Sequence, residues 1–103
     1  MFWDARGSHL DFTNPDTSAW WRNRVREAIL SYGITSTWND NNEYALDDED
    51  AVCHGFGMVA PIKLMRPLMG LLMNQASWRA QLDHSQETRP WLISRSGMPG
   101  MQR

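Results

Sequence analysis

The strongest constraint in this chain is the near absence of slack between two short strand-forming runs and the helical stretch that separates them. Ser8-His9-Leu10-Asp11-Phe12-Thr13 alternates in polarity and is rich in β-formers, so it reads as a strand. Asn14-Pro15 then marks a helix start: Asn can cap the first free N–H groups, and Pro at the first helical position loses no hydrogen bond. Asp16 stands at the positive end of the helix dipole. Trp21, Val25, Ala28, Ile29 and Tyr32 recur at spacings of three and four, which predicts one apolar stripe over about four turns. Gly33 supplies the stop. Ile34-Thr35-Ser36-Thr37-Trp38 is β-branched and aromatic and predicts a second strand. A strand, a helix and a strand joined this tightly form a βαβ unit with parallel strands.

The remainder repeats the theme. A polar cluster from Asn39 to Glu43 ends the second strand, and the acidic run Asp47-Asp48-Glu49-Asp50 lies in a long loop from Tyr44 to Ala60. Pro61 opens an apolar stretch through Leu82 that carries Met65, Leu68, Met69, Leu72, Ala76 and Leu82 at helical period, with Pro67 expected to kink or restart it. Trp91-Leu92-Ile93-Ser94 reads as a third, fully buried strand. Three parallel strands with two crossovers leave bare edges, whereas a closed (β/α)8 barrel takes ~250 residues. The expectation is therefore an α/β chain that forms, over residues 1–103, part of a (β/α)8 (TIM) barrel.

Composition narrows the function. With 42% apolar and 11% aromatic residues, among them 6 Trp and 7 Met, the chain is no disordered tail. No run approaches the ~20 uncharged apolar residues of a membrane span. A net charge of −2 gives no general attraction to nucleic acid or anionic lipid. Cys53 has no partner for an internal disulfide. Met1-Phe2-Trp3-Asp4 has neither the basic start nor the apolar segment of a secretory leader, and a cytoplasmic location is expected. Exposed Met-rich and Trp-rich faces would favour self-association, which leaves a non-catalytic interaction module as the alternative reading.

Parallel α/β folds keep their chemistry at the carboxyl ends of the strands. Those ends hold Asp11, then Asp40 with Glu43, then Arg95, and acids with a cation on one rim can hold a hydroxyl-rich ligand. Other motifs fail on their context. Gly55-Phe56-Gly57-Met58-Val59-Ala60 has dinucleotide-loop spacing but follows an acidic run instead of a strand. Asp40-x-Asn42 opens like a calcium loop, yet Ala45 and Ala51 stand where glycine and glutamate are needed. Cys53-His54 lacks metal-ligand spacing, and no metal or organic cofactor is expected.

Asp11-Phe12-Thr13-Asn14-Pro15, Trp20-Trp21, Gly33-Ile34 and above all Trp38-Asn39-Asp40-Asn41-Asn42-Glu43 resemble glycoside hydrolase family 31, the α-glucosidases and related (β/α)8 enzymes. The signature Trp-x-Asp-Met-Asn-Glu is matched everywhere except at Asn41, where methionine is usual. Arg89-Pro90-Trp91 and Ser94-Arg95-Ser96-Gly97, with Gly100 and Gln102-Arg103, look like the family's next strand and loop.

The resemblance implies that Asp40 is the nucleophile of a retaining α-glycosidase, attacking the anomeric carbon to form a covalent glycosyl-enzyme. It would have to be ionised and aimed into a pocket shaped for a pyranose ring. Arg95 would line the sugar subsite, Trp3 would stack on a sugar face, and Asn41 would alter the floor beside the nucleophile. Trp38, Glu43 and Asp11 would support the motif. Retaining enzymes pair two carboxyl groups about 5–5.5 Å apart, and the family's proton donor lies in the loop after the following strand. The expectation is a segment that carries half of a catalytic pair and is inactive alone, with an α-glucoside or other α-glycoside as the substrate of the whole enzyme.

Overall fold

In the computed structural model, which describes residues 7–46, 48–97 and 101, the first helix begins where Asn14-Pro15 predicts. Helix α1 spans Pro15–Ala28, and the Asn14 side chain accepts a hydrogen bond from Asp16 N at 3.0 Å. A single 3₁₀ turn, Leu30–Tyr32, follows and ends at Gly33, whose φ of +85° is the left-handed cap that glycine adopts without a Cβ clash. Of the expected stripe, Val25 is buried and Trp21 is half-buried, but Tyr32 is 79% exposed. The switch to a 3₁₀ turn rotates the stripe, and Leu30 takes the buried place.

Strand β1 is Ser36–Asn39, and β4 is Trp91–Ser94. They pair in parallel, with Ser36 opposite Trp91 and Asn39 opposite Ser94. Between them lie β2 (Val52–Cys53), β3 (Ala60–Pro61) and helix α2 (Ile62–His84). The parallel unit is thus β1–α2–β4, and the described residues hold two parallel strands, not three.

The expected strand at Ser8–Thr13 does not form. Asp11 Oδ1 accepts from Thr13 N at 3.0 Å and from Thr13 Oγ1, and Asn14 N donates to Asp11 O, so side-chain bonds fold this segment into a turn. The expected loop from Tyr44 to Ala60 contains structure of its own: β2 and β3 pair antiparallel around a 3₁₀ turn at Gly55–Gly57.

Helix α2 runs unbroken through Pro67. The missing N–H costs one bond, to Lys63, and both residues are solvent-exposed, where water can replace it. This helix is the hub of the fold: it packs on α1, on both parallel strands and on the hairpin. Met69, Met73 and Ala76 join Phe12, Tyr44, Cys53 and Ile62 in the larger core, and Ala80 joins Val25 and Leu30 in a smaller one. Leu82, expected on the apolar stripe, is 41% exposed.

Strand β4 is half-covered instead of fully buried, because α2 shields only one face of the ladder; Trp91 and Ile93 point away from it. Among the described residues, no helix is long and apolar enough to cross a membrane.

Candidate active site at the carboxyl ends of the parallel strands

Both parallel strands end on the same side, and their ends carry the charged residues. Arg95 N donates to Asn39 O at 3.1 Å, extending the ladder by one bond and fixing where the arginine leaves the sheet. From there its guanidinium reaches three residues of the facing loop. Nη1 donates to Asp40 Oδ1 at 3.2 Å and to Asn41 Oδ1 at 3.1 Å, and Nε pairs with Glu43 Oε1 at 2.9 Å. A planar fork of donors suits this task better than a point charge would.

The loop can present three acceptors to one guanidinium because it turns sharply. Asn41 has a φ of +50°, in the left-handed region that Asn tolerates better than most residues, and this brings Glu43 back toward Arg95. Inside the turn, Asn42 is 1% exposed. Its Nδ2 donates to Ser94 Oγ at 2.9 Å, and its Oδ1 accepts from Ser96 N at 3.2 Å. Asn42 therefore ties the loop after β1 to the loop after β4 on both sides of Arg95. The sequence offers Asn42, with Asn39 and Asn41, as an amide donor to Asp40; once buried, its amide is bonded to Ser94 and Ser96 instead.

Beneath the shelf, the helix-facing side of the ladder is polar. Asn39 Nδ2 donates to Asn74 Oδ1 at 2.7 Å, Ser77 Oγ lies 3.2 Å from the Asn39 amide, and Trp21 Nε1 donates to Ser77 Oγ at 2.8 Å. One turn on, Gln81 Nε2 donates to Thr37 Oγ1 and to Trp91 O, while its Oε1 accepts from Trp91 N. Among the described residues, no buried side-chain nitrogen or oxygen lacks a partner. The strand ends that carry Asp40 and Arg95 are thus clamped to α2 by side-chain bonds as well as by packing.

The charged groups stay open to water. The Asp40, Glu43 and Arg95 side chains are 39%, 42% and 55% exposed, so Asp40 stands on a shelf and not in the enclosed pocket expected for a pyranose ring. Exposed ion pairs add only ~0–1 kcal/mol of stability. Their effect here is to hold carboxylates and guanidinium in a fixed mutual arrangement, which is what binding several hydroxyl groups requires.

Asp11 stands apart from this cluster. Its Oδ2 accepts from His54 N at 2.6 Å, and its partner Thr13 accepts from Gly55 N at 2.8 Å, so it anchors the β2–β3 hairpin instead of joining the rim at Arg95. Tyr44 lies beside it, buried, with its hydroxyl donating to Leu10 O; burial and then the Asp11 charge push its phenol well above the usual range. His9 stacks on Tyr44 at 4.9 Å, and burial lowers its basicity. Trp38 points off the ladder and is 63% exposed. Trp3 lies outside the described residues. Among the described residues, no group of three His, Cys, Asp or Glu side chains could hold a metal ion.

Comparison with known proteins gives this geometry a context. The model of the glycosyl hydrolase family 31 TIM-barrel domain matches residues 1–103. The "Alpha-glucosidase 2" of Bacillus thermoamyloliquefaciens is 27% identical over 107 residues, covering 98% of this chain. The chain spans 14% of that protein's length. No solved structure matches it.

Proposed function

The chain belongs to glycosyl hydrolase family 31, and from that premise we propose that its 103 residues form the central part of a (β/α)8 catalytic domain that hydrolyses α-glycosidic bonds with retention. Asp40 is the nucleophile. Its carboxylate attacks the anomeric carbon as the glycosidic bond breaks, giving a glycosyl ester that water then cleaves. Arg95 orients that carboxylate through Nη1 and offers its remaining donor edge to sugar hydroxyls. Glu43, through Nε, keeps the guanidinium plane from rotating away. Asn41 stands where the family usually carries methionine, and its amide makes the floor beside the nucleophile polar.

The observation that supports this reading most is the joint hold of Asp40 and Arg95 at 3.2 Å at the carboxyl ends of two adjacent parallel strands. That is the face on which barrels of this kind do chemistry. On this reading the second carboxyl group of the retaining pair comes from outside this segment, with Glu43 positioning the guanidinium and Asp11 committed to the hairpin. An α-glucoside is the substrate class that the α-glucosidase relative suggests.

Labelling the longer protein with a mechanism-based cyclitol epoxide tests the assignment. The modified peptide should carry the label on Asp40, and Asp40→Asn should lower kcat at least 10³-fold while the fold is retained. A label on another carboxylate would remove the assignment. The isolated 103-residue chain should give no turnover of a nitrophenyl α-glucoside, and robust turnover would contradict the division of the catalytic pair.

A further inference from the structure

One glycine of α2 sits under both loops of the site. Gly70 is buried in the interior of the helix, where propensity alone favours alanine. A Cβ built there would lie 3.2 Å from the backbone oxygen of Asn42, 3.4 Å from Asn42 Nδ2 and 3.4 Å from Ser96 Oγ. Asn42 is two residues beyond Asp40, and Ser96 is the residue after Arg95. The bare Cα is therefore the surface on which the two site loops converge. The distances fix how much room exists. A side chain at this position needs its neighbours to yield by a few tenths of an ångström, and the Arg95–Asp40 contact at 3.2 Å already stands at the long end of N–H···O geometry. A displacement of that size, passed on through Asn42, would weaken the hold on the guanidinium.

We propose that Gly70 is a positioning residue: by lacking a side chain it lets Asn42 seat against α2, and the seated Asn42 sets the spacing of Arg95 from Asp40 and Glu43. The proposal rests on the reading of Asp40 and Arg95 as the site, but its test does not use glycosidase activity, so the two can fail separately.

The test uses the full chain labelled with ¹⁵N. The Arg95 Nε–Hε cross-peak is identified by its loss in Arg95→Lys, and its exchange with solvent reports whether Nε is held by Glu43. The Trp21 indole N–H, bonded to Ser77 on the same helix, reports the intact fold. In Gly70→Ala the Arg95 Hε should exchange at least about tenfold faster while the indole resonance stays in place. Asn42→Ala, which removes the amide bonds to Ser94 and Ser96, should release Arg95 as well.

An unchanged Arg95 resonance in Gly70→Ala would overturn the proposal. If Gly70→Ala loses the indole signal as well, Asn42→Ala alone decides: release of Arg95 with the indole retained supports the role, and an unmoved Arg95 refutes it.

Discussion

The two faces of the β1–β4 ladder invert the usual arrangement. The face toward α2 is buried and carries Thr37 and Asn39, matched by Asn74, Ser77 and Gln81 from the helix. The opposite face carries Trp38 at 63%, Trp91 at 63% and Ile93 at 51% exposure. Burial is tolerated on the first face because every polar group has a partner, and a satisfied network also fixes register. Exposure on the second leaves a contiguous apolar surface that a stable assembly has to cover. The polar face supports the strand ends that carry Asp40 and Arg95, and the apolar face is the one left without a covering element among the described residues.

The largest expected effect comes from breaking the polar face at Gln81. Gln81→Leu removes three hydrogen bonds that reach both strands, and it should cost about 2–4 kcal/mol in urea unfolding. Ser77→Ala is the next test. It strips the acceptor of the Trp21 indole and a partner of Asn39, for about 1–2 kcal/mol and a shift in tryptophan emission.

The apolar face should respond in the opposite way. Trp91→Thr with Ile93→Thr should change unfolding free energy by under ~1 kcal/mol, while size-exclusion chromatography shows reduced self-association. A loss of stability as large as that of Gln81→Leu would mean that this face is buried after all.

Tyr44, a buried polar group away from the ladder, sharpens the comparison through pH. Its phenol titrates higher folded than unfolded, so its contribution to stability is complete below the ordinary value of 10.0 and declines as pH rises beyond it. Tyr44→Phe should flatten the alkaline limb of a stability–pH profile and cost about 1 kcal/mol at neutral pH.

Local signals in the sequence were read well where local physics decides. Asn14-Pro15 caps α1 as its chemistry demands, and the β-branched and aromatic runs become β1 and β4 to within two residues. Ser8–Thr13 misled because alternation over six residues cannot outweigh an aspartate whose carboxylate can capture Thr13 and the His54 amide. The short hairpin at Val52–Cys53 and Ala60–Pro61 left no period to detect. Which side of β1 is buried was hidden for a stronger reason: hydrophobicity would turn Trp38 inward, and only the partners on α2 make Thr37 and Asn39 the buried pair.

For the site, the proximity of Asp40, Glu43 and Arg95 was legible from strand direction alone. Asp11 was misplaced along with its strand. Asn42 was legible as an amide beside Asp40, but its partners were not, because only the fold brings Ser94 and Ser96 near.

Asp40 and Arg95 lie 55 positions apart along the polypeptide, and the crossover helix takes 23 residues of that interval. Closing such a span costs chain entropy before any contact repays it. Local helices can form early, but the two halves of the reactive rim meet only when the distant strand docks, so a ribosome must release Arg95 before the rim can assemble at all. Substitutions that delay strand docking will therefore slow the gain of function more than they slow the gain of helical signal.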